Sequence, residues 1–237
     1  MTERRVTLIL LPGLDGTDIF FRPLVAALPP WIEARCVEYP VSGDNDYRSL
    51  LPVVREACRG CDDFFLLGWS FSGPLALMMA AEAPTGLRGV LLCASFISVP
   101  WPFVRFLRRA ATASAARLIP LVSEVLALFG RYSSDAFRRD RAECWSRVPP
   151  SILAARARAI LGMERRSRLT RDVPVLYLAG SSDVVVPRWN ARAVARAIPS
   201  ARVATIDGPH LALYTNPAAA ADVIASFIGQ HRGERAE

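Results

Sequence analysis

The 237 residues carry 52% hydrophobic and 22% charged side chains, the balance of a globular chain with one good core, which excludes a disordered protein and a fibrous repeat. All 29 basic residues are arginine, so Schiff-base chemistry, the phosphate-loop lysine and the kinase lysine are excluded by composition alone. The formal charge is +7 with only two histidines. His231 lies in a polar carboxyl-terminal stretch, so a working histidine would be His210.

In chain order, residues 1–5 are charged and the apolar run at 6–11 is shorter than a signal-peptide core of roughly 7 to 15 residues. The run predicts a first strand and a cytoplasmic protein. A helix is predicted over 21–27, a strand over 34–39 and a helix over 47–59. Cys58 and Cys61 form a CxxC at the end of that helix. Five cysteines without regular spacing describe no disulfide framework, and the pair reads as buried thiols flanking a helix end rather than as a zinc or redox site.

A strand over 64–68, a helix over 73–83 and a strand over 89–93 follow. The uncharged stretches 64–81 and 89–104 fall short of the roughly 20 residues of a membrane span, and Gly68, Ser70, Ser72, Gly73, Pro74, Pro100 and Pro102 break them. Each reads as a buried strand followed by a turn. From about 95 to 171 no strand is apparent, and helical stretches are interrupted by Pro100, Pro102, Pro120, Gly130, Pro149 and Pro150. Strand signals return at 173–179 and 202–206, with helices over 189–197 and 217–228; Pro217 suits the first helical position after Asn216. The last eight residues read as disordered.

Most of these strands are apolar on both faces, which marks a parallel sheet covered by helices on both sides. The expectation is an α/β fold with a mostly parallel six-stranded sheet and a helical insertion before its last two strands. The core would comprise 1–98 and 169–237, and the insertion 99–168.

After the strand at 64–68 comes Gly68-Trp69-Ser70-Phe71-Ser72-Gly73, then a helix beginning near Pro74. This resembles the nucleophile elbow G-x-S-x-G of the α/β-hydrolase superfamily, in which a sharp strand-to-helix turn exposes a serine. Ser72 stands where the motif has glycine. The superfamily's chain order is serine, acid, histidine. After 173–179 comes Gly180-Ser181-Ser182-Asp183, and after 202–206 comes Asp207-Gly208-Pro209-His210. The resemblance thus implies Ser70 as nucleophile, His210 as base and Asp183 as the acid that orients it. Asp207 is the second candidate acid, better placed to shape the histidine loop. Taken alone, Asp183 could cap the helix near Pro187, and His210 and Ser70 could be loop residues.

The first strand runs into Leu11-Pro12-Gly13-Leu14-Asp15-Gly16-Thr17, similar to the superfamily's oxyanion loop with proline where histidine often stands. By that resemblance the oxyanion donors are the backbone amides of Leu14 and Phe71. The chain resembles most the small bacterial esterase- and lipase-like members that open with L-P-G-x-D-G-T. Those usually carry glycine at the position of Asp18, and the strand at 6–11 is the one that normally follows an antiparallel amino-terminal hairpin.

Seven aromatics fall between Trp101 and Trp145, namely those two with Phe103, Phe106, Phe129, Tyr132 and Phe137. They suggest a lid with an apolar underside, although helices also need aromatics to pack on a sheet. From Trp101 to Thr170 there are 14 arginines against 5 acids, Glu124, Asp135, Asp140, Glu143 and Glu164. The asymmetry points to an anionic partner: an acyl carrier protein, an anionic membrane surface or an acidic substrate. No nucleic-acid recognition motif is present.

The expected activity is hydrolysis of a small or lipid-like acyl ester by a serine hydrolase without cofactor or metal. A thioesterase or acyltransferase acting on carrier-bound acyl chains is the near alternative, since esterases that trim methyl pimeloyl from acyl carrier protein are similar in their G-W-S elbow and basic helical lid. A non-catalytic binding module on the same fold is the distant one.

Overall fold

Six strands form one parallel sheet in the order β2-β1-β3-β4-β5-β6: β1 Val6–Leu11, β2 Ile32–Cys36, β3 Phe64–Trp69, β4 Leu87–Cys93, β5 Val175–Gly180 and β6 Arg202–Ile206. The computed structural model describes residues 5–122, 134–163 and 173–232. The expected α/β architecture, with six parallel strands and helices on both faces, is the one found.

Alternation along the strands divides the core in two. Ile9, Leu11, Phe64, Leu66, Val90, Leu92, Val175 and Tyr177 point to the face covered by α2 Tyr47–Cys58, α3 Gly73–Ala81 and α7 Trp189–Ala197. Leu8, Leu10, Phe65, Leu67, Leu91, Cys93, Leu176 and Leu178 point to the face covered by α1 Arg22–Ala27, α8 Ala212–Thr215 and α9 Pro217–His231. Each fully buried side chain of this size contributes roughly 1.5–3 kcal/mol, which is why β3 and β5, buried at every position, read as unbroken apolar runs. The edge strand β6 is exposed at three of its five residues.

Most element bounds lie within two residues of expectation, and two differ by three. The second strand runs Ile32–Cys36 rather than 34–39, because its ladder with β1 ends at Leu10↔Cys36. Val37 and Tyr39 are buried all the same; Tyr39 N–H donates to the Gly16 carbonyl at 2.9 Å, so these apolar residues pack on the loop after β1 instead of extending the strand. The last helix continues to His231, past the expected end at 228. His231 packs edge-on against Phe227 at 4.9 Å, and Arg232 lies over Trp31 at 4.6 Å; residues 233–237 of the tail expected to be disordered lie outside the described residues.

Between β4 and β5 stand a 3-10 segment, Pro102–Ala110, then α4 Ala113–Ala116, α5 Asp135–Arg147 and α6 Pro150–Leu161. Among the described residues this connection contains no strand. Its aromatics divide by role. Phe137 is buried against Phe20 and Tyr214, and Trp101 packs edge-on against Trp189 at 4.7 Å. Phe103 and Phe106 are 64% and 77% exposed, while Phe129 and Tyr132 lie outside the described residues. No helix among the described residues is long and apolar enough to cross a membrane.

The strand order places the functional end. The chain passes from β1 to β2 on one side, then crosses over β1 to lay β3 on its other side. Connections after β1 and β3 therefore diverge, and in an open parallel sheet the crevice at the carboxyl ends of two such strands is where ligands bind. Both the Pro12–Thr17 loop and Ser70 lie at that crevice.

Candidate active site

Ser70 follows the last residue of β3 and has φ +50°, a left-handed conformation that costs a non-glycine residue about 1–3 kcal/mol and is held only by its surroundings. Two hydroxyls hold it. The Ser95 hydroxyl donates to the Ser70 carbonyl at 2.6 Å, and Tyr177 OH donates to the Ser95 carbonyl at 2.7 Å. Gly68 makes the turn possible, since a Cβ there would lie 2.6 Å from the Ser72 carbonyl oxygen and 2.8 Å from Gly73 Cα. Gly68→Ala is expected to cost about 1–3 kcal/mol by forcing backbone apart, measurable as a lower urea midpoint.

The structure brings the three residues singled out in the sequence into one hydrogen-bonded chain. His210 Nε2 lies 2.8 Å from Ser70 Oγ, and His210 Nδ1 lies 2.9 Å from Asp183 Oδ2. The Asp183 side chain is 3% exposed and that of His210 17%. Asp183 also does what a capping residue would do: its Oδ1 accepts from the Val185 and Val186 N–H groups at 2.9 and 2.8 Å. Those two bonds fix the carboxylate plane and leave Oδ2 to the imidazole. The acid and histidine loops approach closely because β5 ends in Gly180, where a Cβ would run into the Pro209 carbonyl and lie 2.7 Å from that of Gly208. Trp69 donates from Nε1 to the His210 carbonyl at 3.3 Å and sets its ring 5.9 Å from the imidazole. Asp207 faces elsewhere, accepting from the Ser181 hydroxyl at 2.8 Å, so it braces the loop.

The Pro12–Thr17 loop abuts the elbow. Its Gly13 lies against the Trp69 ring, where a Cβ would come within 2.8 Å. Gly16 N–H donates to the Gly13 carbonyl at 3.1 Å, and Asp15 Oδ2 accepts from the Thr17 amide and hydroxyl at 2.8 and 2.7 Å. Among the described residues the Leu14 N–H has no protein acceptor. Phe71, the other amide named from sequence, is the residue after Ser70 at the head of the turn.

Of the departures from the motifs, the one at Ser72 has a structural explanation. The Ser72 hydroxyl donates to the Pro12 carbonyl and accepts from Tyr39 OH at 2.6 Å, tying elbow to loop where a glycine could not. Asp18 sits before the turn Ile19–Phe21, with its Oδ1 3.9 Å from Arg147 of α5. The cysteines play no comparable part: burial pushes the Cys58 thiol up to about 12 and the Cys36 thiol up to about 11, the reverse of what a reactive thiol needs.

Residues 7–223 match the model of the alpha/beta hydrolase family. The chain belongs to that family. Among curated relatives, the pimeloyl-acyl-carrier-protein methyl ester esterase of Xanthomonas axonopodis pv. citri is 30% identical over 224 residues, covering 85% of this chain and 86% of that protein. The polyketide synthase ThaQ of Burkholderia thailandensis is 25% identical over 94% of this chain, which spans only 12% of that protein's length. Among solved structures, MenH from S. aureus superposes with a TM-score of 0.81 at 17% identity, over 98% of this chain and 96% of that one; at this identity the likeness is one of fold.

For a member of the alpha/beta hydrolase family, the residue that the sequence reading missed is Arg156, on α6 of the connection between β4 and β5. It is 0% exposed and donates to the Leu14 and Asp15 carbonyls at 3.0 and 2.6 Å, to the Pro40 carbonyl at 3.1 Å and to Asn45 Oδ1 at 2.9 Å. A signal existed. Arg156 stands three and four residues after Leu153 and Ile152, on the apolar face of its helix.

Proposed function

We propose that this protein is a serine hydrolase of acyl esters. The observation that carries the reading is the chain Ser70 Oγ, His210 Nε2, His210 Nδ1, Asp183 Oδ2, with links of 2.8 and 2.9 Å. Ser70 attacks the ester carbonyl carbon while its proton passes to His210 Nε2. The carbonyl oxygen takes up the negative charge and is received by the Leu14 and Phe71 amides. As the carbonyl re-forms, the C–O bond breaks and the alkoxide leaves with the proton from His210. Water then attacks the acyl-enzyme by the same route in reverse, freeing the acid and Ser70. Asp183 stabilises the imidazolium and holds Nδ1 protonated throughout.

Residues 99–168 are read as the lid over this crevice. A binding module that merely kept the fold has no use for a left-handed serine whose hydroxyl meets a carboxylate-backed histidine. Hydrolysis of p-nitrophenyl esters of increasing chain length tests the reading: turnover of at least one acyl length, lost in Ser70→Ala, is expected, and a wild type inert to the whole series would contradict it.

A second reading, that the acyl group arrives on a carrier protein, is favoured by the match to the pimeloyl-acyl-carrier-protein methyl ester esterase together with the surface of the insertion. Arg105, Arg108, Arg109, Arg138 and Arg139 are all exposed there. If they meet an anionic partner, kcat/KM toward a carrier-bound ester falls as salt shortens the Debye length to about 8–10 Å and below, while a small neutral ester is indifferent. Charge reversal at Arg108, Arg109, Arg138 and Arg139 reproduces the loss at low salt. Equal salt sensitivity of both substrates would mean that these arginines only solvate the helices.

A further inference from the structure

Arg156 is a buried charge held by neutral oxygens. Its neighbour two residues on, Arg158, is exposed. Among the described residues no carboxylate lies within ion-pair distance of Arg156; its four acceptors are three backbone carbonyls and an amide oxygen. Burial pulls its guanidinium down to about 10, which leaves it charged at neutral pH. Taking a charge out of water is costly even where its donors find acceptors, and a helix that only needed to pack would carry an apolar residue here. The site is shaped around the guanidinium as well: Gly16 has φ +74°, and a Cβ at that position would collide with it.

What the guanidinium holds is specific. The Leu14 N–H belongs to the Gly13–Leu14 peptide unit. The carbonyl of that unit accepts from Gly16 N–H at 3.1 Å, closing a tight turn over 13–16. The two carbonyls at the crest of the turn, Leu14 and Asp15, share Arg156 Nη1. On the other flank, the Pro12 carbonyl is held by Ser72. Peptide units are planar and rotate as rigid plates, so with the flanking plates pinned the Gly13–Leu14 plate has one orientation, and the Leu14 N–H one direction. Of these three pins, the one from Arg156 comes from the helices between β4 and β5, and the other two from the turn itself and from the elbow.

We propose that Arg156 is a positioning residue for acyl transfer: it fixes the direction of the Leu14 amide, so that the oxyanion hole is complete only when α6 is seated on the core. The inference rests on the hydrolase reading and adds to it a coupling between lid and oxyanion hole, through which substrates that seat α6 are favoured over those that lift it.

The test compares wild type, Arg156→Met, Arg156→Lys and Asn45→Leu on p-nitrophenyl butyrate. Active sites are counted by end-point titration with a fluorophosphonate, and the inhibition constant of an aryl trifluoromethyl ketone is measured, because its hemiketal places an oxyanion in the hole. Loss of a whole oxyanion donor costs about 10²–10³ in kcat; a misdirected one in Arg156→Met is expected to cost roughly 10- to 100-fold per titrated site. KM stays within about threefold, the ketone weakens in the same proportion, and Arg156→Lys recovers part of both. A merely structural role would lower the number of titratable sites and leave per-site kcat and ketone affinity unchanged, which would overturn the proposal. Should Arg156→Met fail to fold, Asn45→Leu decides alone: it keeps the charge and removes the Nε acceptor. A per-site loss of about threefold or more with a matching ketone shift is then expected, and unchanged values overturn the proposal. A wild type with neither ester turnover nor fluorophosphonate labelling would remove the hydrolase reading and this inference together. An active wild type with indifferent variants removes this inference alone.

Discussion

Ser70→Ala is expected to lower kcat on a short p-nitrophenyl ester by roughly 10⁴-fold or more while leaving the protein folded, and His210→Ala to do the same. The reason is geometric. Ser70 Oγ has one basic partner, His210 Nε2 at 2.8 Å, and without that partner a hydroxyl at neutral pH is a poor nucleophile. The double variant should be scarcely worse than either single one, because the two groups form one unit and removing half already abolishes its work. The fold should survive in Ser70→Ala, since the Ser70 carbonyl keeps its bond from Ser95 and only one oxygen is lost from the core-facing turn. Circular dichroism and a melting temperature within a few degrees of wild type should accompany the loss. A residual rate near that of wild type would mean that another group attacks the ester.

Asp183→Asn is expected to cost about 10³–10⁴-fold in kcat, against no more than about threefold for Asp207→Asn. The asymmetry follows from the two amides that donate to Asp183 Oδ1. They force the asparagine to place its oxygen in that position, which turns its NH2 toward His210 Nδ1. A donor facing Nδ1 requires that nitrogen to be unprotonated, so the imidazole proton moves to Nε2 and points at Ser70 Oγ. The base is then presented in the wrong tautomer, although hardly an atom has moved. Asp207 has no such link, because its carboxylate meets the Ser181 hydroxyl and an asparagine oxygen accepts that bond equally well. Steady-state kinetics on the two purified variants check the ranking; the reverse order would transfer the role to Asp207.

Much of this was legible in the sequence because strands buried on both faces impose short, unbroken apolar runs. The first strand, the last strand and the helix Trp189–Ala197 have the bounds that their residues predict. Ser70, Asp183 and His210 were legible for another reason: their motifs resemble those of the α/β-hydrolase superfamily in type and chain order, and each follows a strand whose end a parallel sheet brings to one side. Less legible was anything that depended on which distant segments meet. Val37 and Tyr39 look like strand residues, yet Tyr39 is buried because its hydroxyl reaches Ser72. Ser72 looks like a lapse from the motif until the Pro12 carbonyl is seen beside it. Arg156 looks like one of many arginines in a basic insertion, and only the fold reveals that its four acceptors come from residues 14, 15, 40 and 45. Local periodicity encodes the elements; it does not encode the partners of a polar group more than a hundred residues away.

The central claim, that Ser70 is the nucleophile of a hydrolase, is tested most directly by intact-mass and peptide-mapping spectrometry after reaction with a fluorophosphonate. One adduct per chain is predicted, on the peptide that contains Ser70, absent from Ser70→Ala and slowed by a competing ester substrate. An adduct on a different residue, or none in a preparation that hydrolyses the ester, would contradict it.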